Sequence, residues 1–274
     1  MRYADQHMHA NPASFDAEGD LPAMIAAAAA LPLAAVTFTD HMDMADERTG
    51  KNRNALPLRR ANFEARRAIA AALAPKGPEL RFGMELGAPL QLPEAAAEAA
   101  AMPGLDFIIA SIHNLPDVVD FYSYPYRSEA ECEALNRRYL AELLRMADFP
   151  HFDVCGHIGY TTRYMQKSGF RERITVAKYG DELTALLRRL IENGKGIECN
   201  CSGYRSGGSD TYPGEDILRL YRALGGEIIT VGSAAHMPSQ VALGLREGYE
   251  LIQYCGFRYV SEFRERQCEF IPLT

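Results

Sequence analysis

The sequence predicts one α/β domain, over residues 1–274, in which parallel strands alternate with helices and close into a barrel. Strand and helix patterns alternate along the chain without a linker-like stretch, and histidines with acidic neighbours follow the predicted strands. An open doubly wound sheet is the alternative. It is less favoured because no glycine-rich phosphate loop follows the first strand, where His9-Ala10-Asn11-Pro12 stands instead.

Seven short segments rich in apolar and β-branched residues predict buried strands, and an eighth is weaker. They are residues 3–7, 35–39, 80–85, 106–111, 153–156, 196–200 and 227–231, with the weaker one near 258–261. Helices are predicted between them over residues 21–31, 58–73, 128–146, 181–192, 213–224 and 239–255. Ser128, with Glu131 three positions later, forms a capping box for the third helix.

The composition disfavours several classes of partner. Net charge is −7, from 29 Lys and Arg against 36 Asp and Glu, and no long basic run is present, so nucleic acid is disfavoured. The longest apolar stretch, residues 24–36, contains Pro32 and is too short to span a bilayer. The six cysteines form no C-x-x-C pair, which indicates free thiols in a reducing compartment. We therefore expect a cytoplasmic protein without a membrane partner.

Six of the seven histidines stand where a predicted strand ends, with acidic residues beside them. They are His7, His9, His41, His113, His157 and His236, and Glu85 closes a further strand. Strand ends of an α/β barrel converge on one mouth, where active sites are built. So many imidazoles at one point would repel each other if protonated, and divalent metal ions are the simplest partner that keeps them neutral.

The number of candidate ligands predicts more than one ion. A zinc ion takes about four ligands, often three from protein in a catalytic site, so this set is enough for two or three ions. Ions about 3.5–4 Å apart stabilise both the attacking and the leaving oxygen of a displacement at phosphorus, and they lower the pKa of bound water. The pattern therefore indicates a metal-dependent phosphoester hydrolase.

The motifs together resemble those of the PHP (polymerase and histidinol phosphatase) family, from residue 5 to about residue 245. They are Asp5-x-His7-x-His9, Thr39-Asp40-His41, Gly83-Met84-Glu85, Ser111-Ile112-His113, Gly156-His157 and Gly232-Ser233-x-x-His236. The resemblance implies a distorted (β/α)7 TIM-like barrel with a trinuclear metal site at the carboxyl ends of the strands.

Within the family the chain is most similar to the histidinol-phosphate phosphatase branch. The similar stretches are the loop with Asp120-Phe121-Tyr122, His157 followed by Tyr160 and Arg163-Tyr164, and Asn200-x-Ser202-Gly203-x-Arg205 before Tyr212-Pro213. The resemblance implies hydrolysis of L-histidinol phosphate to L-histidinol and phosphate, a reaction of histidine biosynthesis.

The resemblance also implies an assignment of ligands. His7, His9 and Glu85 would hold a first ion, and Glu85 would bridge to a second, held also by His113 and His157. His41 and His236 would hold a third, with Asp16 as candidate for an acidic ligand from the first loop; an ordinary loop aspartate is the alternative for Asp16. Zn, Mn, Fe or Co would all suit these donors. Catalytic roles are predicted for His7, His9, Glu85, His113 and His236.

Four residues are candidates for substrate binding. Arg163 and Arg205 lie a few residues beyond strand ends, and a guanidinium matches phosphate oxygens in a bidentate way. Surface salt bridges are the alternative for both. Asn200 and Ser202 would bind substrate, or Asn200 would order its loop.

Position 234 departs from the family pattern, which usually reads Gly-Ser-Asp-x-His where this chain has Ala234. The missing carboxylate would normally bind metal. Three explanations are open: an engineered Asp→Ala variant, a natural homologue that lost catalysis and kept binding, and a ligand set into which Asp40 or Asp16 has shifted. We expect metals to bind and turnover to be low.

Two other functions remain alternatives to the histidinol-phosphate reaction. One is a PHP phosphoesterase that acts on another small phosphate ester or a nucleotide. The other is a non-catalytic, metal-dependent binding homologue, suggested by Ala234.

Overall fold

The computed structural model describes residues 2–45, 64–65, 67–69, 77–118, 120–206 and 210–274. Of the helix predicted over residues 58–73, the structure describes residues 64–65 and 67–69, which are helical; the other positions lie outside the described residues. In the described part of the chain, no helix is both long enough and apolar enough to cross a bilayer. All six cysteines are free thiols.

Seven parallel strands form a nearly closed barrel, which confirms the predicted fold class. Their order is β1 (Tyr3–Met8), β2 (Leu33–Phe38), β4 (Glu79–Gly87), β5 (Phe107–Ser111), β6 (Val154–Cys155), β7 (Gly196–Asn200) and β8 (Ile229–Gly232). A short strand, β3 (His41–Asp43), pairs with the second half of β4. The circle is completed beyond the end of β8, where His9 N donates to Ala235 O at 2.8 Å and Met8 pairs with Ala235.

Helices surround the barrel and are packed on its apolar outer layer. They are α1 (Leu21–Ala29), α2 (Pro93–Ala100), α3 (Glu129–Met146), α4 (Tyr160–Lys167), α5 (Val176–Glu192), α6 (Glu215–Ala223) and α7 (Leu245–Tyr254). The predicted cap of α3 is present, since Ser128 Oγ accepts from Glu131 N at 3.2 Å. Glu131 Oε2 accepts from Arg127 N at 2.9 Å, one residue before the position that a regular capping box uses.

Two helices were not predicted from the sequence, and two predicted helices start elsewhere: α5 starts at Val176, five residues before the predicted residue 181, and α7 starts late. Both α2 and α4 span only eight residues, so the periodic signal is short. The last helix starts at Leu245 and not at residue 239, because a 3₁₀ turn at Pro238–Gln240 and a left-handed Gly244 precede it.

A hairpin closes the amino ends of the strands, opposite the ends that carry the histidines. It consists of β9 (Tyr259–Arg264) and β10 (Gln267–Pro272), which pair in antiparallel fashion. Gln6 Nε2 donates to Ser261 O at 2.7 Å, and Arg81 pairs with Glu262 at 2.8 Å, both side chains being 1% exposed. We call this region the amino-end plug. It forces ligands to approach the barrel from the other end.

Candidate metal centre

The six histidines and Glu85 meet at the carboxyl ends of the strands, around a cavity of about 200 Å³. His7 is on β1 and His9 follows it; His41 is on β3 and Glu85 on β4. The remaining three, His113, His157 and His236, follow β5, β6 and β8. The convergence of these residues on one mouth follows from the parallel arrangement of the strands.

Glu85 occupies the centre of this cluster. Its Oε1 lies 2.7 Å from His157 Nε2 and 3.2 Å from His113 Nε2. Its Oε2 lies 2.9 Å from His41 Nδ1 and 3.4 Å from His7 Nε2. Ser111 Oγ donates to Oε1 at 2.7 Å and holds the carboxylate in place. The two oxygens therefore face different histidines, as a bridging carboxylate requires.

Three groups of side chains have ligand atoms close enough to share one ion. They are His7, His9 and Glu85; His9, His41 and His236; and His41, Glu85 and His113. The first group is the one that the family resemblance implies for the first ion. The other two share His41, whereas the implied assignment gave His41 to the third ion alone.

Nδ1 of three imidazoles faces a fixed acceptor, which leaves Nε2 directed to the centre. His7 Nδ1 is 2.5 Å from Glu198 Oε1, and His113 Nδ1 is 3.0 Å from Asp43 Oδ1. His236 Nδ1 donates to Ala234 O at 2.8 Å. Because carboxylates and carbonyl oxygens only accept, a neutral ring with its proton on Nδ1 satisfies these acceptors and leaves the lone pair of Nε2 for a metal ion. This is the tautomer that a metal ligand needs.

His9 reaches a carboxylate through a hydroxyl. Its Nδ1 lies 3.1 Å from Ser14 Oγ, which also accepts from His41 N at 3.1 Å and donates to Asp40 Oδ1 at 2.9 Å. Asp40 therefore orients this imidazole through the hydroxyl of Ser14, and it does not border the cavity. Of the two aspartates considered as a substitute ligand, Asp40 is the less suitable by this geometry.

Protonation alone cannot explain this cluster, because the pKa values of neighbouring histidines are shifted in opposite directions. Burial lowers the pKa of His7, but Glu198 and Glu85 outweigh burial and raise this pKa to about 9. In the same way, carboxylates raise the pKa of His41 to about 10 against the effect of burial. Burial and three neighbouring imidazoles hold the pKa of His9 well below its ordinary value. His7 Nε2 and His9 Nε2 are 3.0 Å apart with both directed inward, so the donor set fits divalent cations shared between rings.

Asp16 stands at the rim of the cluster beside the histidines predicted for the third ion. Its Oδ2 is 3.1 Å from His236 Nε2 and 3.4 Å from His41 Nε2. Burial acts to raise the pKa of Asp16, but hydrogen bonds to these two histidines hold it well below its usual range. The carboxylate is therefore available as an anionic ligand.

Ala234 contributes to the cavity wall and has an unusual backbone. Its φ is 50°, in the left-handed region where asparagine, aspartate and glycine are more common than alanine. Its carbonyl oxygen accepts hydrogen bonds from Arg205 Nη2 and from His236 Nδ1.

Arg163 and Arg205 line the same cavity. Burial, and then the charge of Arg163, lower the pKa of Arg205 to about 10. Arg205 donates to the carbonyls of Ser233 and Ala234, and among the described residues no carboxylate forms an ion pair with either arginine. Two like charges on one small cavity make it suited to an anion.

The side chain of Asn200 is engaged within the protein. Its Nδ2 donates to Glu198 Oε1 at 3.1 Å, and its Oδ1 accepts from Ser202 N at 3.0 Å. These bonds favour the loop-ordering role, although both Asn200 and Ser202 border the cavity. Tyr204 packs against Gly244, outside the cavity.

A wall of three tyrosines completes the mouth. Tyr160 stacks on His157 with ring centroids 4.7 Å apart, and Tyr164 donates to Tyr160 Oη at 3.0 Å. Tyr122 is 72% exposed and meets Tyr164 edge-on. Sequence reasoning did not assign the residues that hold the imidazoles, Ser14, Asp43 and Glu198. The available signals were a glutamate inside a buried strand for Glu198 and proximity to His41 for Asp43.

Comparison with known proteins agrees with this geometry. The PHP domain family matches residues 5–202. The histidinol-phosphatase of Lactococcus lactis subsp. lactis (strain IL1403) is 27% identical over 269 residues, which cover 96% of this chain and 95% of that protein. The probable histidinol-phosphatase of Thermotoga maritima is 25% identical over 187 residues, 68% of this chain and 67% of that protein.

Among solved structures, the fold is similar to histidinol phosphate phosphatase from Lactococcus lactis, a structure complexed with zinc, L-histidinol and phosphate. The TM-score is 0.81 at 23% identity, with 98% of this chain and 99% of that chain covered. The resemblance inferred from the motifs is thus confirmed, as is the predicted enzyme class, a metal-dependent phosphatase.

Proposed function

We propose that the chain, which belongs to the PHP domain family, has the active site of a histidinol-phosphate phosphatase. The reaction is hydrolysis of L-histidinol phosphate to L-histidinol and phosphate. The observation that carries the proposal is the joint lining of one cavity by a histidine–carboxylate cluster and two arginines without carboxylate partners among the described residues. The names of the relatives support the choice of this substrate over other phosphate esters.

The proposed metal ligands are those that the motifs predicted: His7, His9, Asp16, His41, Glu85, His113, His157 and His236. We propose two or three divalent ions, with zinc as first candidate. When bound, such ions supply a water of lowered pKa and positive charge beside the phosphoryl oxygens.

The residues of the chain have distinct tasks in this proposal. Glu198, Asp43 and Ser14 hold imidazole rings in the orientation that presents Nε2. Arg163 and Arg205 bind phosphoryl oxygens and neutralise the charge that grows as water attacks phosphorus and the bond to the alkoxide breaks. The tyrosine wall beside Arg163 faces the rest of the substrate and limits its size.

Ala234 is proposed to weaken turnover in this chain. The left-handed backbone at this position suits an aspartate, whose carboxylate would add an anionic ligand to the cluster. Restoring it by Ala234→Asp should raise kcat by about 100-fold or more, the size of one well-placed electrostatic group at a reacting centre. Metal content and phosphate release from L-histidinol phosphate, measured on both proteins, test this expectation.

The outcomes separate the alternatives. Metal in both proteins with turnover only in Ala234→Asp supports the phosphatase with a disabled ligand position. Metal in both and release from neither, with release from another small ester or a nucleotide, favours a different PHP phosphoesterase. Metal with no turnover of any ester would favour a non-catalytic binding homologue, the second candidate that Ala234 suggests. A protein that binds no divalent metal would contradict the proposal.

A further inference from the structure

Glu198 lies on β7 beneath the metal centre and is 1% exposed. Its Oε1 faces His7 Nδ1 at 2.5 Å and accepts from Asn200 Nδ2 at 3.1 Å. Its Oε2 accepts the backbone N–H of His157 at 2.9 Å. One carboxylate thus joins a ligand on β1, a ligand after β6 and the loop after β7.

We propose that Glu198 is a positioning residue of this centre: it fixes His7 and His157 and, through Asn200, links them to the loop that carries Arg205. The inference rests on the proposed metal-dependent function of the same cavity. Glu198 does not border the cavity, so it acts through its neighbours and does not contact substrate.

The three groups around Glu198 explain why the residue is a carboxylate. Asn200 Nδ2 and the His157 N–H can only donate, and His7 Nδ1 must donate if Nε2 is to bind metal. A glutamine has one accepting oxygen, so its amide nitrogen would face a donor on one side. An anion is therefore the one group of this size that satisfies all three.

The adjacent strand is built to leave room for this arrangement. A Cβ placed on Gly232 would lie 2.4 Å from His7 Cβ and 3.1 Å from Glu198 Oε1. Any side chain there would push His7 or the carboxylate aside. The glycine at the start of the Gly-Ser motif thus protects the contact between Glu198 and His7.

The link from Glu198 to the loop that carries Arg205 runs through the side-chain amide of Asn200. Asn200 Nδ2 binds Glu198, and Asn200 Oδ1 accepts from Ser202 N at 3.0 Å. Arg205 is three residues further along the same 3₁₀ turn, Cys201–Ser206. A shift of the carboxylate would therefore disturb both the first group of metal ligands and the cationic side of the cavity.

The test measures zinc affinity by chelator competition in Glu198→Gln and in the parent chain. We expect zinc to bind about 10- to 100-fold more weakly in the variant, the usual effect of removing the partner of a metal-ligating histidine. In the Ala234→Asp background, saturating zinc should restore kcat more than KM, because added metal does not rebuild the loop contact made through Asn200.

Glu172→Gln is the matched control. Glu172 is also buried, and its carboxylate accepts from Asn136, Lys178 and Tyr179, but it does not border the cavity. We expect a loss of thermal stability in this control with zinc affinity within about threefold of the parent. If Glu198→Gln does not fold, Glu198→Asp takes its place, since the shorter side chain keeps the charge but cannot reach all three donors.

Two failures are distinguishable. Equal zinc affinity in the parent and in the folded Glu198 variant, with only a lower melting temperature, would overturn the positioning role and leave the proposed function intact. A parent chain that binds no zinc or other divalent metal would overturn the metal site itself, and with it the proposed function.

Discussion

The two ends of the barrel treat buried charge in opposite ways. At the amino-end plug, Arg81 pairs with Glu262 at 2.8 Å and Arg266 pairs with Asp153 at 2.7 Å. At the mouth, six imidazoles surround one central carboxylate, and the two arginines of the cavity have no carboxylate partner among the described residues. Charges that are matched within the chain stabilise the fold, whereas charges left unmatched in a cavity are available for ligands.

The largest expected effect is at the mouth, in Glu85→Gln. Loss of the central charge removes the only carboxylate shared by two of the three candidate ligand groups. In the Ala234→Asp background we expect turnover to fall by about 1000-fold or more, with loss of at least one bound ion. Metal analysis and phosphate release measure this; retained turnover with full metal content would contradict the bridging role of Glu85.

The reverse effect is expected at the plug, in Glu262→Gln. Both Arg81 and Glu262 are 1% exposed, and breaking this pair leaves the buried guanidinium with Glu79, whose side chain is 40% exposed, as its carboxylate partner. The free energy of unfolding should fall by about 1.5–3 kcal/mol, the usual contribution of a hydrogen bond to a charged group, while zinc affinity stays as in the parent. Denaturant unfolding of the metal-free proteins gives the comparison. If Glu85→Gln lost more free energy of unfolding than Glu262→Gln, the contrast between the two ends of the barrel would be wrong.

The smallest effect concerns the edge of the plug and depends on pH. Hydrogen bonds from Arg264, and then from Arg81, lower the pKa of Glu79 to about 2 from its ordinary 4.5. The folded-state pKa is depressed, so this stabilisation is complete above pH 4.5 and is lost as the pH falls toward 2. Because Glu79 is 40% exposed, we expect less than about 1 kcal/mol.

A comparison of the parent with Glu79→Gln isolates this contribution. The difference in unfolding free energy between the two proteins should shrink as the pH is lowered from 4.5 to 2. A difference that does not change with pH would mean that the ion pair with Arg264 contributes nothing measurable.

The sequence by itself determined which residues meet at the mouth. Strand ends of a parallel barrel lie at one edge, so His7, His113 and His157 could be brought together without knowledge of any contact. Periodicity and caps likewise placed α3 and β7 within a residue of their observed bounds. The same reasoning did not find the short α4, although it carries Arg163, because eight residues, little more than two turns, give a weak periodic signal.

Only the tertiary structure decided how the imidazoles are held. Glu198 is 191 residues from His7, and Asp43 is 70 residues from His113, so no local pattern links the partners. Hydrogen-bond partners depend on the stagger of neighbouring strands and on where loops return, which periodicity does not encode. The same holds for the plug, where Glu262 meets Arg81 across the barrel. Local sequence specifies which way a side chain points, and packing of distant segments decides what it meets.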